Sequence, residues 1–157
     1  MKIAVQLLET AKKHGIMIAA AESCTGGMVA AALTDVPGSS AMFERGFVTY
    51  TNRAKIEMLG VLPATLQAHG AVSEQVAVEM ARGALARSVA DLSVSITGIA
   101  GPGGSEFKPE GRVCFAVADA SGATSETIEY GAIGRSKVRA AARDHALGLL
   151  LARMGHE

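Results

Sequence analysis

Apolar residues recur along this chain with two periods, one typical of helices and one typical of strands. In residues 3–13, Ile3, Leu7 and Leu8 fall on one helical face, whereas residues 92–97 alternate apolar and hydroxyl side chains. The same reasoning predicts further helices over 25–33, 52–59, 63–69, 74–86 and 135–154, and further strands over 16–22, 43–50, 111–119 and 123–130. Helices that alternate with strands predict an α/β fold: a three-layer α/β/α sandwich with a mixed, mostly parallel sheet of about five strands.

The composition favours one domain and disfavours two classes of partner. With 157 residues, 49% hydrophobic and 19% charged, the chain can form one compact domain over 1–157. Fifteen basic and fifteen acidic residues cancel, so no cationic field exists to hold nucleic acid or an anionic membrane. No stretch approaches the roughly 20 apolar residues that span a bilayer, and the N-terminus lacks a signal-peptide pattern. We therefore expect a cytoplasmic protein without nucleic-acid or membrane partners.

Ser23 falls on a turn between a predicted buried strand and a predicted helix. The first N–H groups of a helix are unpaired and carry the positive end of its dipole, which favours an anion or a developing oxyanion. Ser23 is therefore a candidate nucleophile, and a plain helix cap is the alternative. Cys24 could replace it as nucleophile, although we expect a buried small apolar residue there. The candidate oxyanion donors are the N–H groups of Cys24, Thr25, Gly26 and Gly27.

Lys55 is an unusual residue at its place in the chain. Thr51 or Asn52 can cap the helix over 52–59, which puts Lys55 in or next to its first turn. The helix dipole disfavours a cation there by roughly 0.3–1 kcal/mol, and such rule-breaking often marks function. We predict that neutral Lys55, through Tyr50, takes the proton from Ser23. A solvated lysine and a half-buried strand tyrosine are the alternatives.

A glycine-rich segment and two arginines complete the candidate site. Thr97, Gly98 and Gly101 follow a predicted strand, and ligands bind beyond the carboxyl ends of strands in open α/β sheets. Arg135 and Arg139 stand four residues apart where the last helix begins, so both can face one anion. A tight connection and a solvated basic turn are the alternatives for these two segments. The four histidines show no ligand spacing, so we predict no metal site.

Several motifs, in order, resemble those of the CinA C-terminal domain family, and together they cover nearly the whole chain. They are residues 21–27 (AESCTGG), 37–40 (PGSS), 43–50 (FERGFVTY), Asn52 with Lys55, 70–73 (GAVS), 97–104 (TGIAGPGG) and 134–139 (GRSKVR). The resemblance implies a homo-oligomeric amidohydrolase that acts in pyridine-nucleotide salvage without a cofactor. It would convert nicotinamide mononucleotide to nicotinic acid mononucleotide and ammonia. Carried over, Ser23 is the nucleophile, Lys55 the base, Tyr50 its partner, and Thr97 with the loop after it lines the substrate pocket.

A competing hypothesis belongs to another class of protein. A non-catalytic nucleotide-binding or interaction module of the competence/damage-inducible type would keep the crevice and use it for sensing. Such a module would bind a pyridine mononucleotide without releasing ammonia, and its binding would not depend on the Ser23 hydroxyl. Ammonia release therefore separates the two hypotheses.

Overall fold

The computed structural model describes residues 2–105 and 107–155. Over these residues the chain forms six α-helices, five β-strands and one 3₁₀ turn at Ser39–Ala41. The helices are α1 (Lys2–His14), α2 (Met28–Thr34), α3 (Asn52–Leu59), α4 (Pro63–His69), α5 (Glu74–Ala86) and α6 (Arg135–Met154). The strands are β1 (Ile18–Glu22), β2 (Phe43–Val48), β3 (Leu92–Gly98), β4 (Arg112–Asp119) and β5 (Gly122–Glu129).

The five strands form one mixed sheet in the order β2-β1-β3-β4-β5. Strand β1 pairs in parallel with β2 and with β3, whereas β3–β4 and β4–β5 are antiparallel. The predicted α/β fold with a mixed sheet is confirmed, but the prediction that the sheet is mostly parallel is wrong. Parallel neighbours need a crossover connection, usually a helix. The described residues of the glycine-rich segment at 99–111 form no helix, and β4 returns beside β3 in the opposite direction.

Helices cover both faces of the sheet. On one face, α1, α2 and α6 pack on a large apolar cluster that includes Leu7, Leu33, Phe115 and Leu150. On the other face, α5 packs across the sheet, with α3 and α4 beside it. Within the described chain, no helix is both long and apolar enough to cross a membrane.

The hydroxyl residues of β3 join the sheet to α5. The Ser93 and Ser95 hydroxyls donate to the Ala81 and Ala77 carbonyls at 2.7 and 2.5 Å. All four of these residues are fully buried, and a buried hydroxyl needs such a partner. The alternation that predicted a strand therefore reflects two buried faces, one apolar and one bonded to a helix backbone. This fixes the central strand whose carboxyl end forms part of the site.

Candidate active site

The end of β1 places a serine next to a buried lysine. Ser23 follows the last residue of β1, and its N–H donates to the Ile96 carbonyl of β3 at 2.9 Å. Lys55 Nζ lies 2.9 Å from Ser23 Oγ. The structure thus brings together the two side chains that the sequence analysis paired as nucleophile and base.

Helix α3 carries Lys55 into the interior. Thr51, rather than Asn52, caps this helix, because its hydroxyl accepts the Ala54 N–H at 3.1 Å. Lys55 is only 2% exposed, and its Nζ also contacts the Thr49 carbonyl at 3.1 Å. Lys55 Nζ is therefore held between two oxygens in the interior, and the role of base that the sequence analysis assigned to it requires the neutral amine.

The turn after β1 is built around a buried carboxylate. Glu22 is 1% exposed. Its oxygens accept hydrogen bonds from the N–H groups of Gly27 (3.2 Å), Val29 (3.0 Å) and Ala30 (2.9 Å). These donors lie at the start of α2, where unpaired N–H groups and the helix dipole favour an anion. The anion that they bind is therefore part of the protein, and α2 begins at Met28, later than the predicted range 25–33.

Two N–H groups of this turn keep no protein acceptor. The Gly26 N–H donates to a carbonyl within the turn at 3.0 Å, and the Gly27 N–H donates to Glu22. Among the described residues, the N–H groups of Cys24 and Thr25 donate to none. Thr25 is fully buried, whereas Cys24 lines the cleft described next, so the Cys24 N–H is the predicted oxyanion donor that a ligand could reach.

A cleft of about 450 Å³ opens over Ser23 and Lys55. It lies beyond the carboxyl ends of β1 and β3, and residues from the Ser23 turn, from 50–55 and from the glycine-rich segment line it. The lining residues include Ser23, Cys24, Tyr50, Lys55, Thr97, Gly98, Gly101 and Arg135. Four other predicted site residues lie outside this lining: Thr25, Gly26, Gly27 and Arg139.

Two charged side chains hold the glycine-rich wall of the cleft. Arg135 donates to the Gly101 carbonyl at 2.8 Å and to the Tyr50 hydroxyl at 2.7 Å, so it joins two sides of the cleft. The Glu110 carboxylate accepts the Gly103 N–H at 2.8 Å. Gly101 has φ +94°, and a Cβ there would lie 2.5 Å from a Glu110 oxygen. A side chain at this position would therefore displace the carboxylate that holds the loop.

Thr97 and Arg139, both predicted to meet the substrate, bond to backbone carbonyls. The Thr97 hydroxyl, in a residue 1% exposed, donates to a carbonyl just before α5 at 2.9 Å. Arg139 Nε donates to the Cys24 carbonyl at 3.0 Å, and Nη2 donates to the Thr25 carbonyl at 3.3 Å. The guanidinium of Arg139 therefore lies against the nucleophile turn, whereas Arg135, one helical turn earlier, lines the cleft.

A sequence model of the CinA C-terminal domain matches residues 1–154. The chain belongs to the CinA C-terminal domain family. It is 53% identical over 151 residues to the nicotinamide-nucleotide amidohydrolase PncC of Escherichia coli (strain K12), a match that covers 96% of this chain and 92% of that protein. The resemblance inferred from the motifs is confirmed.

Solved structures and longer relatives agree with this family. The crystal structure of the competence/damage inducible protein CihA from Agrobacterium tumefaciens superposes with a TM-score of 0.93 at 49% identity. That match covers 96% of this chain and 93% of the other. A CinA-like protein from Chlorobaculum tepidum is 64% identical over 104 residues, which are 66% of this chain but 25% of that longer protein.

In this CinA-family chain, the cysteine beside the serine is a buried thiol. Cys24 is 5% exposed, and burial raises its pKa to about 11. The thiolate is the nucleophilic form of cysteine, so a thiol that stays protonated near neutral pH is a poor nucleophile. This observation favours Ser23 over Cys24 as the attacking group.

Sequence reasoning assigned no role to three residues that shape this CinA-family site: Glu22, Thr49 and Glu110. The sequence does contain an indication for Glu22, because it ends a predicted buried strand and a buried carboxylate needs hydrogen-bond donors around it. Thr49 acts through its carbonyl, which no side-chain pattern reveals. Among the described residues, which leave out His156, no group of three or more His, Cys, Asp or Glu could hold a metal ion.

Proposed function

We propose that this chain hydrolyses the carboxamide of nicotinamide mononucleotide to nicotinic acid mononucleotide and ammonia. The similarity to PncC over nearly the full length of both chains supports this substrate. The observation that carries the proposal is the 2.9 Å contact between Ser23 Oγ and the buried Lys55 Nζ at the base of the cleft. A module that only binds nucleotides has no need of a buried amine beside a serine hydroxyl.

In the first half of the reaction, Ser23 is acylated. A neutral amine has one lone pair, so Lys55 can accept the Ser23 proton as Oγ attacks the carboxamide carbon. The N–H group of Cys24, which lines the cleft and keeps no acceptor in the described protein, is the donor that we assign to the oxyanion. The C–N bond then breaks, Lys55 returns the proton to the leaving nitrogen, and ammonia departs from an ester on Ser23.

In the second half, water completes the hydrolysis. A water molecule attacks the ester carbon while Lys55 takes its proton, and the same N–H group stabilises the second oxyanion. The ester C–O bond breaks, the proton returns to Ser23 Oγ, and nicotinic acid mononucleotide leaves. One water is consumed and one ammonia released in each cycle, and no other reactant is needed.

We assign the substrate phosphate to the glycine-rich wall and Arg135. The guanidinium of Arg135 lines the cleft beside the Gly101 carbonyl. The N–H groups of Ala100, Gly101 and Gly104 donate to no group within the described chain. Backbone N–H groups next to an arginine suit a phosphate. The direct contact between Lys55 and Ser23 means that the proton need not pass through Tyr50, whose hydroxyl accepts from Arg135 at 2.7 Å; its role as partner of Lys55 stays a prediction.

Trapping of the ester tests this mechanism directly. Hydroxylamine competes with water for an acyl-enzyme, so turnover in its presence should yield the hydroxamate of nicotinic acid mononucleotide. We expect that product from the parent protein and none from Ser23→Ala. Formation of the acid without any hydroxamate, at a hydroxylamine concentration that leaves turnover intact, would argue for direct attack by water.

Two further predictions accompany the proposed activity. We propose that the protein acts in the cytoplasm as a homo-oligomer of dimer size or larger. Light scattering on the purified protein measures the oligomer size. A monomer at working concentration would contradict the predicted homo-oligomer, but it would not affect the proposed location or activity.

A further inference from the structure

Asn52, the first residue of α3, is an exposed residue of the cleft wall. It lines the cleft together with Ser23 and Lys55, and its side-chain amide bonds to no residue that the structure describes. The sequence analysis offered Asn52 as a possible helix cap, but the Thr51 hydroxyl fills that role. The cap of α3 therefore does not depend on Asn52, whose amide offers two N–H donors and one carbonyl acceptor to the cleft.

The nucleophile and the base meet at the same end of α3. Asn52 and Lys55 stand three residues apart, a spacing that puts two side chains on one helical face. Helical side chains lean toward the N-terminal end of their helix. Lys55 does so, because its Nζ lies 3.1 Å from the carbonyl of Thr49, which precedes the helix. The same Nζ lies 2.9 Å from Ser23 Oγ, so the reacting groups lie at the end of α3 that begins with Asn52.

The proposed reaction brings the leaving nitrogen of the carboxamide to this end of α3. Lys55 returns the Ser23 proton to that nitrogen, and the transfer requires hydrogen-bond reach between the two nitrogens. The carboxamide nitrogen carries two N–H groups, and the returned proton adds a third together with a positive charge. Hydrogen-bond acceptors beside the nitrogen therefore stabilise it as the C–N bond breaks.

We propose that the side-chain oxygen of Asn52 accepts a hydrogen bond from the carboxamide nitrogen and stabilises it as the leaving group. The contact favours a carboxamide over an ester, because the leaving oxygen of an ester has no N–H group to donate. No proton passes to Asn52: the proton moves from Lys55 to the nitrogen, and the C–N bond breaks. The inference rests on the proposed amidohydrolase function and adds to it the residue that recognises the leaving group.

The test compares two substrates that differ only in the leaving group. Nicotinamide mononucleotide and the methyl ester of nicotinic acid mononucleotide place the same acyl group on Ser23. A hydrogen bond to a charged group corresponds to roughly 10–100-fold in rate. We expect Asn52→Ala to lower kcat/KM at least about tenfold for the carboxamide and less than about threefold for the methyl ester.

Binding gives a second readout that does not require turnover of either substrate. On a Ser23→Ala background, Asn52→Ala should weaken binding of nicotinamide mononucleotide by about three- to tenfold, because one hydrogen bond is lost. Binding of the methyl ester should stay at the value of the Ser23→Ala protein. Asn52→Leu, which keeps most of the side-chain volume and removes the amide, should show the same difference between the two compounds.

Arg53→Ala is the matched control, because Arg53 is the next residue of α3, lies in solvent and pairs with Glu57. It should keep the parental values for both substrates. Asn52→Ala should unfold at the parental temperature, since Thr51 keeps the cap of the helix.

Two results would overturn the inference. Equal losses for the carboxamide and the ester would mean that Asn52 contacts the part that the two compounds share. Parental kcat/KM for the carboxamide in folded Asn52→Ala would mean that Asn52 makes no contact that matters to the reaction. Absence of ammonia release from the parent would instead refute the proposed function, and it would be seen without any Asn52 variant.

Discussion

Replacement of Lys55 by methionine should abolish turnover while leaving the fold intact. Methionine has nearly the length of lysine without its amine, so Lys55→Met removes the group 2.9 Å from Ser23 Oγ and keeps most of the packing volume. A general base contributes roughly 10²–10⁴ to the rate. We therefore expect kcat to fall by at least about a hundredfold.

The effect on stability should be small because two changes oppose each other. The buried Thr49 carbonyl loses a donor at 3.1 Å, which costs roughly 1–3 kcal/mol. Burying an apolar side chain in place of an amine stabilises the folded state by a similar amount, about 1.5–3 kcal/mol. Ser23 faces the cleft, where water can replace the amine as its partner. We expect a net change within about 2 kcal/mol, or a shift in Tm of less than about 8 °C for a chain of this length.

The assay combines ammonia release with thermal unfolding of each variant. Arg53→Met is the matched control, since Arg53 lies on the same helix, in solvent, and pairs with Glu57. Lys55→Arg adds a sharper test: arginine keeps a cation but does not give up its proton in proteins, so this variant should also be inactive. Retention of more than a tenth of parental kcat by either folded Lys55 variant would refute the assignment of Lys55 as base.

Three further predictions concern the surroundings of the site. Glu22→Gln should lower the free energy of unfolding by roughly 1.5–3 kcal/mol in denaturant titration, because a charged acceptor of three N–H groups is lost; parental stability would contradict the capping role. Because burial raises the pKa of Cys24 to about 11, the thiol of the unfolded chain, with its ordinary pKa of 9.0, ionises first as the pH rises. Stability should therefore fall as pH rises from 9 to 11, and Cys24→Ala should flatten that decline. Gly83→Ala should destabilise the protein, since its Cβ would lie 2.0 Å from the Leu59 carbonyl oxygen. Gly148→Ala, whose Cβ would have nothing within 4 Å, should stabilise it by about 0.5–1 kcal/mol. Equal changes in Tm for the two variants would refute this contrast.

The elements of this fold could be predicted because each has a strong local signal. Ser73 caps α5 through the Val76 N–H at 3.2 Å, as its position before the helix predicts. The segments that form the site could also be predicted from the sequence, because polar residues after strands of an open α/β sheet converge at one edge. Lys55 could be predicted as a functional residue because a cation near a helix start is unfavourable, and the structure places it in the interior beside Ser23.

The remaining features depend on contacts that local patterns do not contain. Strand direction in β3–β4 depends on whether the connection crosses over, and a glycine-rich segment allows either outcome. The predicted oxyanion donors at Gly26 and Gly27 are taken because Glu22 and the turn itself accept them. Arg135 and Arg139 look equivalent in sequence, yet one lines the cleft and the other binds carbonyls more than a hundred residues away in the chain.

Ammonia release from nicotinamide mononucleotide, measured for the parent and for Ser23→Ala in the presence of a metal chelator, tests the central claim most directly. We predict one ammonia per nicotinic acid mononucleotide from the parent and no release from Ser23→Ala, which should still bind the nucleotide. A Ser23→Ala variant that turns over at the parental rate would contradict the serine mechanism. A folded parent that binds the nucleotide and releases no ammonia would contradict the proposed activity and favour a sensing module.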